Sequence, residues 1–108
     1  MKEACSDAGT LLIPLSGELD HCRSNLIREE IERKILHSPK AETLLLDFSQ
    51  VSFMDSSGVG MIIGRYKTMK KRGGNVCAQN LRPHVDKMFH LAGLHRIIRI
   101  LPKQEENA

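Results

Sequence analysis

Residues 54–67 read MDSSGVGMIIGRYK, with two serines and three glycines placed between an apolar run and a segment of helical periodicity. Glycine in a helix interior costs about 1 kcal/mol relative to alanine. Three of them in one helix imply that the backbone is needed bare, or that a serine is presented at its edge. Val59, Ile62, Ile63, Tyr66 and Met69 follow the i, i+3, i+4, i+7 template and predict the buried stripe of a helix. That helix begins near Ser57 or Gly58 and runs to Arg72, where Gly73-Gly74 supplies residues that accept positive φ. Asp55, Ser56 and Ser57 stand where the chain enters it, and any of the three suits the N-cap.

Outward from this helix, strands and helices alternate. Thr43 to Phe48 (TLLLDF) reads as a strand whose leucines suggest burial on both faces. Before it, Ser24 to His37 is helical: Ile27, Ile31 and Ile35 recur every four residues, Leu26 and Leu36 widen the stripe, and Arg28, Glu29, Glu32 and Arg33 face water. Ser24 is its expected N-cap and Pro39 stops it. Thr10 to Leu15 (TLLIPL) is a strand closed by Ser16-Gly17, with Pro14 placed at an unpaired side or a bulge. Lys2 to Ser6, joined to it through Asp7-Ala8-Gly9, predicts an N-terminal hairpin.

Beyond the central helix, Asn75 to Gln79 is a short strand. Arg82 to Ala92 is a helix with Pro83 in its first turn and Val85, Met88, Phe89 and Ala92 as its stripe. Gly93-Leu94 suits a Schellman ending, and Arg96 to Leu101 is the last strand, ahead of a short polar tail from Pro102. The alternation predicts one α/β domain over residues 1–108. Its sheet has four to five strands, mostly parallel, mixed at the N-terminal hairpin, with right-handed crossovers.

The 108-residue chain carries a net charge of only +3, with 41% hydrophobic and 27% charged residues, ordinary for a soluble domain. No run approaches the roughly 18 apolar residues of a membrane span, and MKEACSDAG lacks a signal-peptide core, so a cytoplasmic protein without membrane partners is expected. Cys5, Cys22 and Cys77 make an odd count without C-x-x-C spacing, which reads as reduced thiols and not as a disulfide or zinc framework. The basic run RYKTMKKR (residues 65–72) is explained as a solvated helix face; with one interleaved aromatic and no accompanying motif, a nucleic-acid partner is not expected. His37, His84 and His90 show no metal-ligand spacing such as H-E-x-x-H, so no metal is expected.

The glycine loop resists enzymatic readings. Gly58-x-Gly60-x-x-x-Gly64 misses G-x-G-x-x-G by one residue, G-K-[ST] is absent, and Asp55-Ser56-Ser57-Gly58 is not a G-x-S-x-G elbow. With no nucleophile–base pair or metal set at plausible spacing, the chain is read as a non-enzyme without a cofactor of its own. Gly60 and Gly64 share one helix face outside the predicted stripe, with Met61 beside them. They mark either a docking surface or a close helix–helix contact inside the domain.

Asp55-Ser56-Ser57-Gly58-Val59-Gly60 resembles the D-S-[ST]-G-[LIV]-G signature of the STAS domain family, the anti-sigma factor antagonists. The likeness extends through Gly17-Glu18-Leu19-Asp20-His21, Phe53-Met54, Gly64-Arg65-Tyr66-Lys67, Phe89-x-x-Ala92-Gly93-Leu94 and Ile97-Ile98. It covers essentially the whole chain and favours the sporulation branch over the general-stress one. Cys22 stands where a second histidine is expected.

The resemblance implies a partner anti-sigma factor that is an ATP-dependent serine kinase, phosphorylation of Ser57 by it, and a separate serine phosphatase. Asp20, His21, Asp55, Ser56, Gly58, Gly60, Met61, Gly64 and Arg65 become the expected partner-binding residues. Asp20 shapes the loop beside the serines or forms a local Asx turn. Gly58 admits another backbone, and Arg65 meets an acidic partner residue. A phosphate on Ser57 is expected to find free amides and the positive end of the helix dipole, worth roughly 0.3–1 kcal/mol, while disrupting the interface. The alternatives are a nucleotide- or metabolite-binding module on the same rim and a general-stress antagonist.

Overall fold

The computed structural model describes residues 9–102. The predicted hairpin strand at Lys2–Ser6, and with it any mixed pairing in the sheet, lies outside the described residues. The order is β1 (Thr10–Leu19), α1 (Ser24–Leu36), β2 (Thr43–Met54), α2 (Ser56–Lys71), β3 (Asn75–Gln79), α3 (Pro83–Leu91), a 3-10 turn (Leu94–Arg96) and β4 (Arg99–Ile100). The four strands lie in sequence order and every pairing is parallel. No helix among the described residues is long and apolar enough to cross a membrane.

Strand alternation sends Ile13 and Leu15, Leu44, Leu46 and Phe48, and Val76 and Ala78 to one face of the sheet. There they form a continuous core with Ile27, Ile31 and Ile35 of α1, Ile62 and Met69 of α2, and Val85 and Phe89 of α3. Phe48 and Phe89 meet edge to face, with ring centroids 5.4 Å apart, a geometry the aromatic quadrupole favours. Leu45, on the other face, is buried too.

Several elements differ from expectation for local reasons. β1 continues through Ser16-Gly17 because the ladder absorbs them: the register shifts after Pro14 and again after Gly17, which adopts φ +81°, the behaviour of a bulge. β2 likewise runs to Met54 along β1. Leu26 and Leu36 are 69% and 73% exposed, since each lies one residue off the isoleucine stripe and a helix turns about 100° per residue. Ser24 is not the N-cap of α1. Arg23 holds that position, and the Ser24 hydroxyl donates instead to the Asp20 carbonyl at 2.7 Å. In α3, Val85 and Phe89 are buried, Met88 is half-buried and Ala92 is exposed. The last strand shrinks to two residues because the chain first winds through the 3-10 turn, entered at Gly93 with φ +76°.

The buried face of α2 is also displaced: Gly58, Met61, Ile62, Arg65 and Met69 are buried, while Val59, Ile63 and Tyr66 are half-buried. The helix packs against α1 as well as the sheet, so its inner face turns toward both. Arg65 Nε lies 2.6 Å from Glu32 Oε2 of α1, and that same oxygen accepts from Thr68 Oγ1 at 2.9 Å. Burial depresses the Arg65 pKa, Glu32 opposes this, and Arg28 adds to the depression. The helix ends as expected, with the Gly73 N–H donating to Lys70 O and the Gly74 N–H to Met69 O, the two bonds of a Schellman motif. Arg72 then donates to the carbonyls of Ile35, Ser38 and Ala41, fastening α2 to the end of α1.

Asp47 ties β2 to the end of β3. Its carboxylate accepts from the Ser49 N–H at 2.8 Å, from Gln79 Nε2 at 3.1 Å and from Asn80 Nδ2 at 3.3 Å, and Asn80 has φ +60°. Burial pushes the Asp47 pKa up, but hydrogen bonds from Ser49, Asn80 and Gln79 outweigh it and hold the carboxyl below its usual value. A depressed carboxylate stabilises the fold above its unfolded pKa, about 3.9, and loses that contribution as pH falls through the lower folded value. Asp47→Asn is therefore expected to flatten the loss of stability below about pH 4 in urea melts run at successive pH values.

The glycines give a second test. A Cβ on Gly58 would collide with the Leu19 carbonyl oxygen and stand 2.8 Å from Met54 Cγ, whereas one on Gly60 meets nothing within 4 Å. Gly58→Ala is expected to destabilise by about 1–3 kcal/mol through overpacking. Gly60→Ala should stabilise by up to about 1 kcal/mol through helix propensity. Denaturant midpoints measured side by side check both signs.

Candidate functional site

Parallel strands bring their C-terminal ends to one rim, where α/β sheets gather functional loops. Leu19 ends β1 directly opposite Met54, the last residue of β2, and the Asp55 N–H donates to the Leu19 carbonyl at 3.2 Å. The loop after β1 and the serine loop after β2 are thus stitched together.

Asp55 is the N-cap of α2. Its backbone is extended, and Oδ1 accepts from the Ser57 N–H at 2.8 Å and the Gly58 N–H at 3.3 Å. Ser56 and Ser57 are therefore the first two helical residues, Ser56 exposed and Ser57 half-buried. Two of the amides expected to be free for a phosphate are already taken by Asp55. Asp20 forms the Asx turn: Oδ1 accepts from the Cys22 and Arg23 N–H groups, each at 3.1 Å. Its carbonyl takes the Ser24 N–H at 2.9 Å. The same residue shapes the loop beside the serines, so the two readings of Asp20 describe one arrangement.

His21, Ser24, Asn25 and Arg28 on one side, and Ser57, Gly60 and Met61 on the other, line an open groove of about 400 Å³ between the start of α1 and the start of α2. Of the expected binding residues, Asp20, His21, Asp55, Ser56 and Gly60 gather at this rim. Gly64 lies one turn farther along α2. Neither Gly60 nor Gly64 has an atom within 4 Å of where a Cβ would sit, so they do not serve close helix packing within the described domain.

Three expected docking residues fall elsewhere. Gly58 is buried because the Leu19 backbone already occupies the approach it leaves open. Met61 reaches the groove only with its edge: it is 5% exposed and belongs to the core. Arg65 is 7% exposed and held by Glu32, so it does not present its charge to a partner. The positions of Met61 and Arg65 follow from the rotation of α2 toward α1. Conversely, Asn25 and Arg28 line the groove although Arg28 reads as solvated. The signal available was their spacing of three, which places them on one face next to the isoleucine stripe.

The remaining polar residues stay local. His84 stacks on Phe53 with centroids 5.3 Å apart, His90 stacks on His95 at 4.4 Å, and His37 Nδ1 lies 2.8 Å from Arg33 O. No group of three metal-ligating side chains occurs among the described residues. Cys22 is exposed, and burial pushes the Cys77 thiol up.

Comparison with known proteins agrees with this geometry. The STAS domain model matches residues 2–107. The chain is 37% identical to an anti-sigma F factor antagonist from Paenibacillus polymyxa, over 85% of this chain and 78% of that protein. It is 31% identical to the anti-sigma-B factor antagonist of Bacillus subtilis, over 86% and 83%. Among solved structures, it resembles the anti-sigma factor antagonist SpoIIAA in its unphosphorylated form, with a TM-score of 0.72, 35% identity and coverage of 88% and 82%. The Bacillus SpoIIAA structure in the phosphorylated form matches with a TM-score of 0.64, 33% identity and coverage of 88% and 85%. With four parallel strands, an Asp-Ser-Ser-Gly cap on the second helix and a family match over nearly its whole length, the chain belongs to the STAS domain family, alongside relatives that are anti-sigma factor antagonists.

Proposed function

We propose that this protein is a cytoplasmic, phosphorylation-switched anti-sigma factor antagonist of the sporulation type, a regulator and not an enzyme. Unphosphorylated, it binds an anti-sigma factor that is also a serine kinase and so releases the sigma factor that kinase holds. The kinase supplies ATP and Mg²⁺ from its own side and transfers the γ-phosphoryl group to Ser57 Oγ. A separate serine phosphatase returns the hydroxyl.

The observation that carries this reading is the position of Ser57. It lies in the first turn of α2, lines an open groove, and is held beside the Asp20 turn by the Asp55–Leu19 hydrogen bond. Likeness to antagonists solved in unphosphorylated and phosphorylated forms supports a phosphorylation switch. Asp20, His21, Ser56, Gly60 and Gly64 form the docking face around it, and Asp55 acts through the cap. A phosphoserine adds about −1.5 to −2 charge at neutral pH. Placed beside Asp55 and near Asp20, it presents a like-charged cluster to a partner surface fitted to a hydroxyl, and binding is lost.

Intact mass after incubation with the cognate anti-sigma kinase and Mg-ATP tests the acceptor. Wild type gains one phosphate and Ser57→Ala gains none. Phosphate on both proteins would move the acceptor to Ser56. No phosphate on wild type, from a kinase active on another antagonist, would overturn the switch.

A further inference from the structure

A phosphate on Ser57 cannot use the helix terminus freely. Asp55 Oδ1 already accepts from the Ser57 and Gly58 N–H groups, and its negative charge repels a second anion placed there. The other acidic neighbour, Asp20, is fixed in its own Asx turn. The open side of Ser57 is the α1–α2 groove, which holds Arg28, His21 and Asn25. Gly60, one turn beyond Ser57, contributes no side chain to fill it.

Arg28 is available for a new partner. Its one ion pair among the described residues is a 3.9 Å approach to exposed Glu29, a contact of little energetic weight. It also lies close enough to buried Arg65 to depress that group's pKa. Arg65 is paired with Glu32, so the Arg28 charge is the surplus that an anion in the groove would relieve. Guanidinium and phosphate match in bidentate geometry.

From this arrangement we infer that phosphorylated Ser57 closes onto Arg28 across the groove, forming an intramolecular latch between α2 and α1. The latch does two things at once. It fills the groove beside the docking face, and it holds the phosphate against the protein's own surface, where the phosphatase must first displace it. The off state is thereby stabilised from within the domain, apart from repulsion at the interface.

The inference rests on Ser57 being the acceptor, so its test dispenses with the kinase. Phosphoserine is installed at position 57 by genetic encoding, and its phosphate is titrated by ³¹P NMR at low salt in wild type, Arg28→Gln and Arg28→Lys. His21, Asp20 and Asp55 are present in all three, so the comparison isolates the Arg28 charge. The phosphate pKa is expected at least half a unit lower in wild type than in Arg28→Gln, with Arg28→Lys between. In wild type alone, the Arg28 Nε–H resonance should move downfield on phosphorylation, a readout that does not depend on any variant folding. Equal phosphate pKa values in wild type and a folded Arg28→Gln, or an unmoved Nε–H, would overturn the latch whatever the kinase does. A kinase that leaves Ser57 unmodified bears instead on the acceptor assignment.

Discussion

The contact on which the site depends is the junction of Leu19 with residues 55–58. The Leu19 carbonyl accepts the Asp55 N–H, and Gly58 passes so close beneath it that no side chain fits. Asp55 in turn uses its carboxylate to start α2. One hydrogen bond, one glycine and one cap therefore fix where β1 ends, where β2 ends and at what angle α2 leaves the sheet. Because the strands are parallel, both loops emerge on the same rim, and the serines are displayed there by the same contacts that start the helix.

This junction explains why the glycines of the 58–64 segment do different work. Gly58 is internal, required by backbone approach. Gly60 and Gly64 face open space and leave α2 smooth beside the groove. The same approach that buries Gly58 turns α2 toward α1, which takes Met61 into the core and lets Arg65 reach Glu32. A buried arginine paired to one carboxylate is weak evidence for stability. Its structural consequence is clearer: it sets the spacing of α1 and α2, and with it the width of the groove that contains Ser57 and Arg28.

Much of this was legible in the sequence. The order of elements, the isoleucine stripe of α1, the β3 boundaries, the glycine stop of α2 and the strand-to-helix position of the serines all follow from periodicity and cap chemistry, because these are local properties. What could not be read locally was rotation. With Ile62 and Met69 buried as expected, the apolar template on α2 is completed almost equally by Val59, Ile63 and Tyr66 or by Met61, and only the collision at Gly58 and the Glu32 pairing decide between them. Bulges hid for a similar reason: Ser16-Gly17 is good turn chemistry, and only pairing with β2 converts it into a kink within a longer strand. Asp20 displaced Ser24 as the organiser of the α1 start because its carbonyl and carboxylate together satisfy three backbone N–H groups and one hydroxyl.

The central claim is that one phosphate on Ser57 turns off partner binding while the fold stands. The direct measurement is calorimetric titration of the cognate anti-sigma kinase with unphosphorylated and Ser57-phosphorylated protein, beside amide NMR spectra of both forms. The expected result is a loss of affinity of at least 100-fold, about 2.7 kcal/mol, with amide shifts confined to residues around Asp20–Arg28 and Asp55–Gly60. Equal affinity for the two forms, or a phosphorylated protein whose amide spectrum shows a collapsed fold, would contradict it.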